Sequence, residues 1–169
     1  LGIKVVIDLH SPPGGRLHDK SMAMFYQQEY ADRFVETWQK IARRFKDSPV
    51  VWGYDLINEP VQNIPTPPGL QDYWDLQIRA ARAIREIDPE TAIIFEVDNW
   101  DSASGFRFVE PVPVSNVVYQ VHLYNPHEFT HQNVNDVVKP LAYPGTCNGA
   151  PLNREYLRKI LKPVRDFQL

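Results

Sequence analysis

The chain has 169 residues, the size of one domain and long enough to bury a core. A hydrophobic fraction of 43%, a charged fraction of 23% and a net charge of −3 are ordinary for a soluble globular protein; they offer no basic stripe for nucleic acid and no cationic face for a membrane. No apolar run is long enough to cross a bilayer, and the single cysteine, Cys147, excludes an intrachain disulfide and fits no metal-ligand spacing.

The first predicted strand, Ile3 to Leu9, starts flush with the first residues, which is abrupt for the opening of a natural domain. The Ser-Pro-Pro-Gly-Gly stretch at 11–15 breaks it into a loop. Phe34, Trp38, Ile41 and Phe45 recur at helical spacing and predict an amphipathic helix over Glu29 to Phe45. A second strand follows at Val50 to Ile57, then a Pro-rich loop at 60–69 and a helix over Gln71 to Glu86 with Trp74, Ile78, Ala81, Ile84 and Ile87 on its buried stripe. The third strand is Ala92 to Val97, a helical turn is expected around 101–109, and the fourth strand runs from Asn116 to Tyr124. A long loop then leads to a helix with Asn153 as N-cap and Leu157, Ile160, Leu161 and Val164 on one side, which Pro163 should kink or end. Strands alternating with helices predict parallel βα units, read here as one partial catalytic domain over residues 1–169.

Side chains alternate across a strand, so Asp8 shares a face with His10, Asp55 with Glu59, Glu96 with Asp98 and Trp100, and Gln120 with His122 and Tyr124. Each strand therefore has a polar face concentrated toward its C-terminal end. An open sheet covered on both sides would bury these groups at roughly 1–3 kcal/mol for each one left unsatisfied. A closed barrel gathers them around one axis.

Asn58-Glu59-Pro60 sets a carboxylate beside an amide at a strand mouth, an arrangement suited to glycosidic bond cleavage with Glu59 as the acid and Asn58 holding a sugar hydroxyl. Strict pleat puts Asn58 and Glu59 on opposite faces, so the pair requires a twist or bulge there. The competing interpretation of Asn-Glu-Pro alone is an exposed loop glutamate. His122, His127 and His131 raise a metal site, but Asn125-Pro126 argues against a regular helix at the last two, and no metal is assigned. Gly14-Gly15 lacks a phosphate-loop pattern, so nucleotide binding is not expected.

The segment Val51-Trp-Gly-Tyr-Asp-Leu-Ile-Asn-Glu-Pro60 resembles the fourth-strand signature of glycoside hydrolase family 5, the cellulase-like (β/α)8 family with two catalytic glutamates. Val5-Val-Ile-Asp-Leu-His10 is similar to its third strand, Ile93-Ile-Phe-Glu-Val-Asp-Asn-Trp100 to its fifth, and Val118-Tyr-Gln-Val-His-Leu-Tyr124 to its sixth. The resemblance implies that Glu59 is the acid/base and that Asn58 contacts substrate beside the nucleophile. By the same resemblance His10 and His122 line the site, Tyr124 orients the nucleophile, and Trp100 offers a stacking face for sugar.

It further implies an incomplete (β/α)8 barrel of the α/β class, strands three to six, with the nucleophilic glutamate of the seventh strand beyond Leu169 and the isolated piece inactive. Glu96 as a substitute nucleophile is the weaker alternative to an interior hydrogen-bonding group. The expected activity is retaining hydrolysis of a β-linked polysaccharide, most specifically endo-β-1,4-glucanase, with β-mannanase or β-1,3-glucanase as alternatives within the family. The rival from another class is a non-catalytic carbohydrate-binding or structural half-barrel, and an unrelated open α/β sheet is a third. No cofactor is expected, the partner is an oligo- or polysaccharide, and the exposed barrel edges favour a homo-oligomer. The compartment stays open, with a secreted or periplasmic parent favoured over a cytoplasmic one.

Overall fold

The computed structural model describes residues 2–132, 134 and 140–168. Four parallel strands, β1 (Val5–Asp8), β2 (Val51–Asp55), β3 (Ala92–Phe95) and β4 (Val117–Tyr119), lie side by side in chain order. Each pairs with its sequence neighbour: Asp8 stands opposite Asp55, Asp55 opposite Ile94, and Phe95 opposite Tyr119. Consecutive parallel strands with helical crossovers form an α/β sheet with the topology of an incomplete (β/α)8 barrel.

The crossover between β1 and β2 is α1 (Gln28–Phe45), and that between β2 and β3 is α2 (Tyr73–Arg85). The α1 stripe forms as its spacing dictates: Ala31, Phe34, Val35, Trp38 and Ala42 are buried, while Ile41 and Phe45 pack at its margin. Asp72 caps α2 by accepting from the backbone N–H groups of Trp74 (2.9 Å) and Asp75 (2.8 Å). These helices bury Tyr54, Leu56, Ile93 and Phe95 against them, and the Trp38 indole N–H donates to the Leu56 carbonyl at 2.9 Å. Apolar side chains thus fill the helix-facing side of the sheet, while the other side carries Ile94 and Val118 and, toward the strand ends, the polar Asp55, Glu96 and Gln120.

Beyond β3 the short α3 (Asp98–Asp101) leads into a 3-10 turn, Ala103–Arg107. The fourth strand is shorter than its β-rich sequence suggests. After Tyr119, Gln120 N–H still donates to Phe95 O (3.0 Å), but His122 N–H turns to Asp101 O (2.8 Å) and His122 bridges to Ser102. The backbone bonds of this stretch are satisfied by the loop following β3, which ends the regular ladder.

Two expectations for the segment after Tyr124 need correction. A helical turn, α4 (His127–Thr130), does form, because Pro126 sits at its N-cap, where a proline lacks no bond. A hairpin, β5 (Gly145–Cys147) with β6 (Ala150–Leu152), occupies what is expected to be loop; positions 133 and 135–139 of that loop lie outside the described residues. It turns on Asn148 and Gly149, both at positive φ, 51° and 77°, as a two-residue hairpin requires.

Asn153 caps α5 (Arg154–Ile160) through a 3.0 Å bond from Tyr156 N–H. The helix ends there, and Pro163 falls in the first turn of a separate α6 (Lys162–Gln168). The apolar stripe from Leu157 to Val164 therefore belongs to two helices. Val164 and Phe167 pack on a second core with Val97 and Phe106, the Phe106 and Phe167 rings 5.2 Å apart. Among the described residues no helix is long and apolar enough to cross a membrane.

Candidate active site

The polar strand ends converge as the alternation predicts. Glu59 follows β2 with φ at 54°, a left-handed conformation that swings its side chain out of the pleat and supplies the twist that the Asn58-Glu59 pair requires. Both ends of its peptide environment are pinned. Its N–H donates to Glu96 Oε2 at 2.6 Å, and its carbonyl accepts from Arg16 Nη2 at 2.8 Å. Its carboxylate Oε1 lies 2.9 Å from His122 Nδ1, both side chains about one-fifth exposed.

Beneath this pair lies a group of buried acids. Gln120 Nε2 is 2.7 Å from Glu96 Oε1, 3.2 Å from Asp55 Oδ2 and 3.1 Å from His122 Nε2. Asp101 Oδ1 accepts from Val97 N–H at 2.9 Å, and its Oδ2 is buried with no protein partner, as is Asp55 Oδ1. Burial raises all three carboxyls. Glu96 is pushed to about 8 by burial and then by Asp55, Asp101 to about 9 by burial and then by Glu96, and Asp55 to about 6 by burial and then by Asp8. Glu96 and Asp101 are accordingly neutral acids near pH 7, which relieves the repulsion that three charges at such spacing would carry.

Glu96, Asp101 and His122 each bring one ligand-type atom to within 4.8 Å of the others. Those groups are already engaged: Glu96 accepts from Glu59 N–H and Gln120, Asp101 from Val97 N–H, and His122 bonds Glu59 and Gln120. Of these carboxyl oxygens only Asp101 Oδ2 has no protein partner among the described residues.

Glu59 and His122 form one wall of an open cleft of about 1020 Å³, shared with Asn99, Trp100, Tyr124 and Arg107. Glu59 is the sole carboxylate lining it among the described residues. The family model described as cellulase (glycosyl hydrolase family 5) matches residues 1–165. The chain belongs to glycosyl hydrolase family 5.

Curated relatives include Endoglucanase C of Acetivibrio thermocellus, 28% identical over 97% of this chain and 54% of its own length. Cellodextrinase A of Ruminococcus flavefaciens is 31% identical over 78% of this chain and 38% of its own. The chain spans about half the length of the first of these. The crystal structure of endoglucanase Cel5A from Thermotoga maritima superposes with a TM-score of 0.71 at 27% identity, over 99% of this chain and 50% of that one.

The family 5 resemblance assigned five binding residues besides Glu59, and the structure brings them together unevenly. His122 and Tyr124 join Glu59 in the cleft, the Tyr124 ring edge-on to His122 at 6.2 Å and stacked on His127 at 6.2 Å. Trp100 also lines the cleft, but Arg16 lies over its ring at 4.7 Å and occupies one face. Asn58 is half-buried and gives its backbone carbonyl to Arg16 at 3.3 Å. His10 lies outside the cleft, its side chain 75% exposed and its Nδ1 2.9 Å from Asp8 Oδ2.

Glu96 is an interior hydrogen-bonding group with no exposure, the geometry of a support and not of a nucleophile. Two residues escape sequence reasoning. Arg16 sits in a loop with no periodicity, so nothing local foretells that it reaches the Glu59 carbonyl. Asp101 closes a run of three left-handed residues, Asn99, Trp100 and Asp101, and the Asn and Asp that tolerate that conformation were its one local signal.

Proposed function

We propose that the whole protein is a retaining glycoside hydrolase of β-linked polysaccharide, most specifically an endo-β-1,4-glucanase, with Glu59 as general acid/base. The observation that carries this is the 2.9 Å contact of the Glu59 carboxyl with His122 at the cleft wall, on a backbone fixed from both sides by Glu96 and Arg16. A cleft-facing acid held in one orientation is placed to protonate a leaving oxygen and then to draw a proton from water. The names of the endoglucanase relatives support the substrate class. His122 holds the acid, Tyr124 and Trp100 flank the sugar, and Asn58 stands beside it.

A retaining site needs a second carboxyl about 5–5.5 Å from the first. Since Glu59 alone lines the cleft among the described residues, the nucleophile comes from elsewhere in the protein, and residues 1–169 by themselves bind sugar without turning it over. Strand β1, at the sheet edge, leaves Val5 and Val6 more than 40% exposed, which favours pairing with the remaining half of a barrel or with a second copy.

The test uses the whole protein with Glu59→Ala. Cellulose hydrolysis should fall by about 10²–10⁴-fold, the usual contribution of a general acid. A dinitrophenyl β-cellobioside, whose leaving group needs no proton, should still give a burst, and azide should restore turnover by replacing the water that Glu59 activates. Undiminished cellulose hydrolysis by Glu59→Ala removes the assignment. Turnover of the aryl glycoside by residues 1–169 alone refutes the claim that the nucleophile lies elsewhere.

A further inference from the structure

The Gln120 amide stands where the protonation pattern of the site is decided. Its Nε2 is 3.1 Å from His122 Nε2, and an amide nitrogen donates and cannot accept. A ring nitrogen that receives a hydrogen bond carries no proton of its own. The neutral His122 ring therefore holds its proton on Nδ1, the nitrogen 2.9 Å from Glu59 Oε1.

We propose that Gln120 is a positioning residue that fixes the Nδ1–H tautomer of His122, which keeps Glu59 Oε1 an acceptor and leaves Oε2 to carry the proton transferred in the reaction. This depends on Glu59 being the acid/base.

The opposite tautomer is disfavoured by what surrounds the ring. A proton on Nε2 would find Glu96 Oε1 at 3.7 Å, beyond hydrogen-bond reach, and would point at the Gln120 nitrogen. Turning the amide over removes that clash but sets its oxygen against Glu96 Oε1 and Asp55 Oδ2, so Glu96 would have to carry its proton on Oε1 and Asp55 would have to be protonated on Oδ2 as well. The arrangement seen needs neither. In it the two amide protons serve His122 and Glu96, with Asp55, the longest contact, sharing one of them.

The charged and titratable groups facing the imidazole are Glu59 from the loop after β2, Glu96 from the end of β3, Asp101 of α3 with a carboxyl oxygen within 4.8 Å of a ring nitrogen, Tyr124 edge-on at 6.2 Å and, through Gln120, Asp55; Asp101 also presents its carbonyl to the His122 backbone. With the tautomer reversed, bare Nδ1 would attract the acid proton onto Oε1. That proton would then be committed to the histidine when the leaving group needs it.

The tautomer can be read without turnover from long-range ¹H–¹⁵N correlations in ¹⁵N-histidine-labelled protein, with His122→Asn identifying the signals and the pH set where the spectrum shows a neutral ring. The native protein should show Nδ1 protonated and Nε2 bare. Gln120→Met, which keeps the bulk and removes the donor, should give a mixture or the reverse. Gln120→Glu, which offers an acceptor instead, should place a proton on Nε2.

In the cellulose assay both variants should lower kcat by about 10- to 100-fold, part of a general acid's contribution, with KM nearly unchanged and the pH profile displaced. A native Nε2–H tautomer overturns the proposal, and so does a Gln120→Met spectrum identical to the native one. Either result leaves the Glu59→Ala test unaffected, and full activity of Glu59→Ala leaves the tautomer as found, so the two failures are distinguishable.

Discussion

Replacing Glu96 by glutamine isolates the cost of holding a buried carboxyl in its neutral form. Glu96 has no exposure, and its carboxyl is raised from 4.5 to about 8 in the folded protein. Below pH 4.5 the folded and unfolded chains both carry the proton, and the stability associated with the neutral acid is fully present. As pH rises toward 8 the unfolded chain releases the proton while the folded one keeps it, so stability is lost with increasing pH. Between about pH 5 and about pH 7 that loss amounts to about 2–3 kcal/mol for these two values.

Glutamine does not titrate, but it can accept only one of the two hydrogen bonds that Glu96 takes from Glu59 N–H and Gln120, a deficit of about 1–3 kcal/mol. That deficit is the same at both pH values and cancels in their difference. Urea unfolding of native protein and Glu96→Gln at the two pH values should therefore show the variant gaining about 2–3 kcal/mol on the native protein from the lower to the higher. A relative change under about 0.5 kcal/mol, within the error of additivity, refutes the elevated Glu96 acid.

Trp38 is fully buried and bonded to Leu56 O, so Trp38→Ala should cost about 3–5 kcal/mol, read from the same urea curves, with Trp38→Phe intermediate. Gly14 and Gly15 are both at positive φ, but an added Cβ at Gly14 would overlap the Tyr30 ring while one at Gly15 meets nothing within 4 Å. Gly15→Ala should then lose only about 1 kcal/mol of backbone strain and Gly14→Ala clearly more; equal melting temperatures would contradict the Tyr30 contact.

The alternation of strands and helices was legible because apolar periodicity is a local property. The period of Phe34, Trp38, Ile41 and Phe45 requires a helix whatever it packs on, and the polar sides of β2, β3 and β4 required a common axis. The meeting of Glu59 with His122 followed from that convergence. The left-handed Glu59 could be anticipated only as a need for some twist, since the sequence gives the requirement and not the means. Trp100 was legible as a cleft aromatic, but the cation on its other face arrives from a loop more than eighty positions earlier. The hairpin at 145–152 was foreseeable from Asn148-Gly149, whose pair of positive φ angles is a local property as well. The acidity of Glu96 and Asp101 was not, because it is created by burial that only the assembled loops provide.

The strand order bears on how the chain comes together. Val5 pairs with Val51, Gly53 with Ala92 and Ile93 with Val117, so among the described residues each of these four strands pairs with its neighbour in sequence. Each closure spans a moderate loop, and the entropic cost of closing a loop grows only slowly with its length. A chain leaving the ribosome can add each strand to an edge already in place, so that synthesis and sheet growth run in the same direction. The open edge beside β4 is then the growing end of a vectorial assembly, and Glu59, held by groups from β3 and β4, takes up its final setting only once those two strands have emerged.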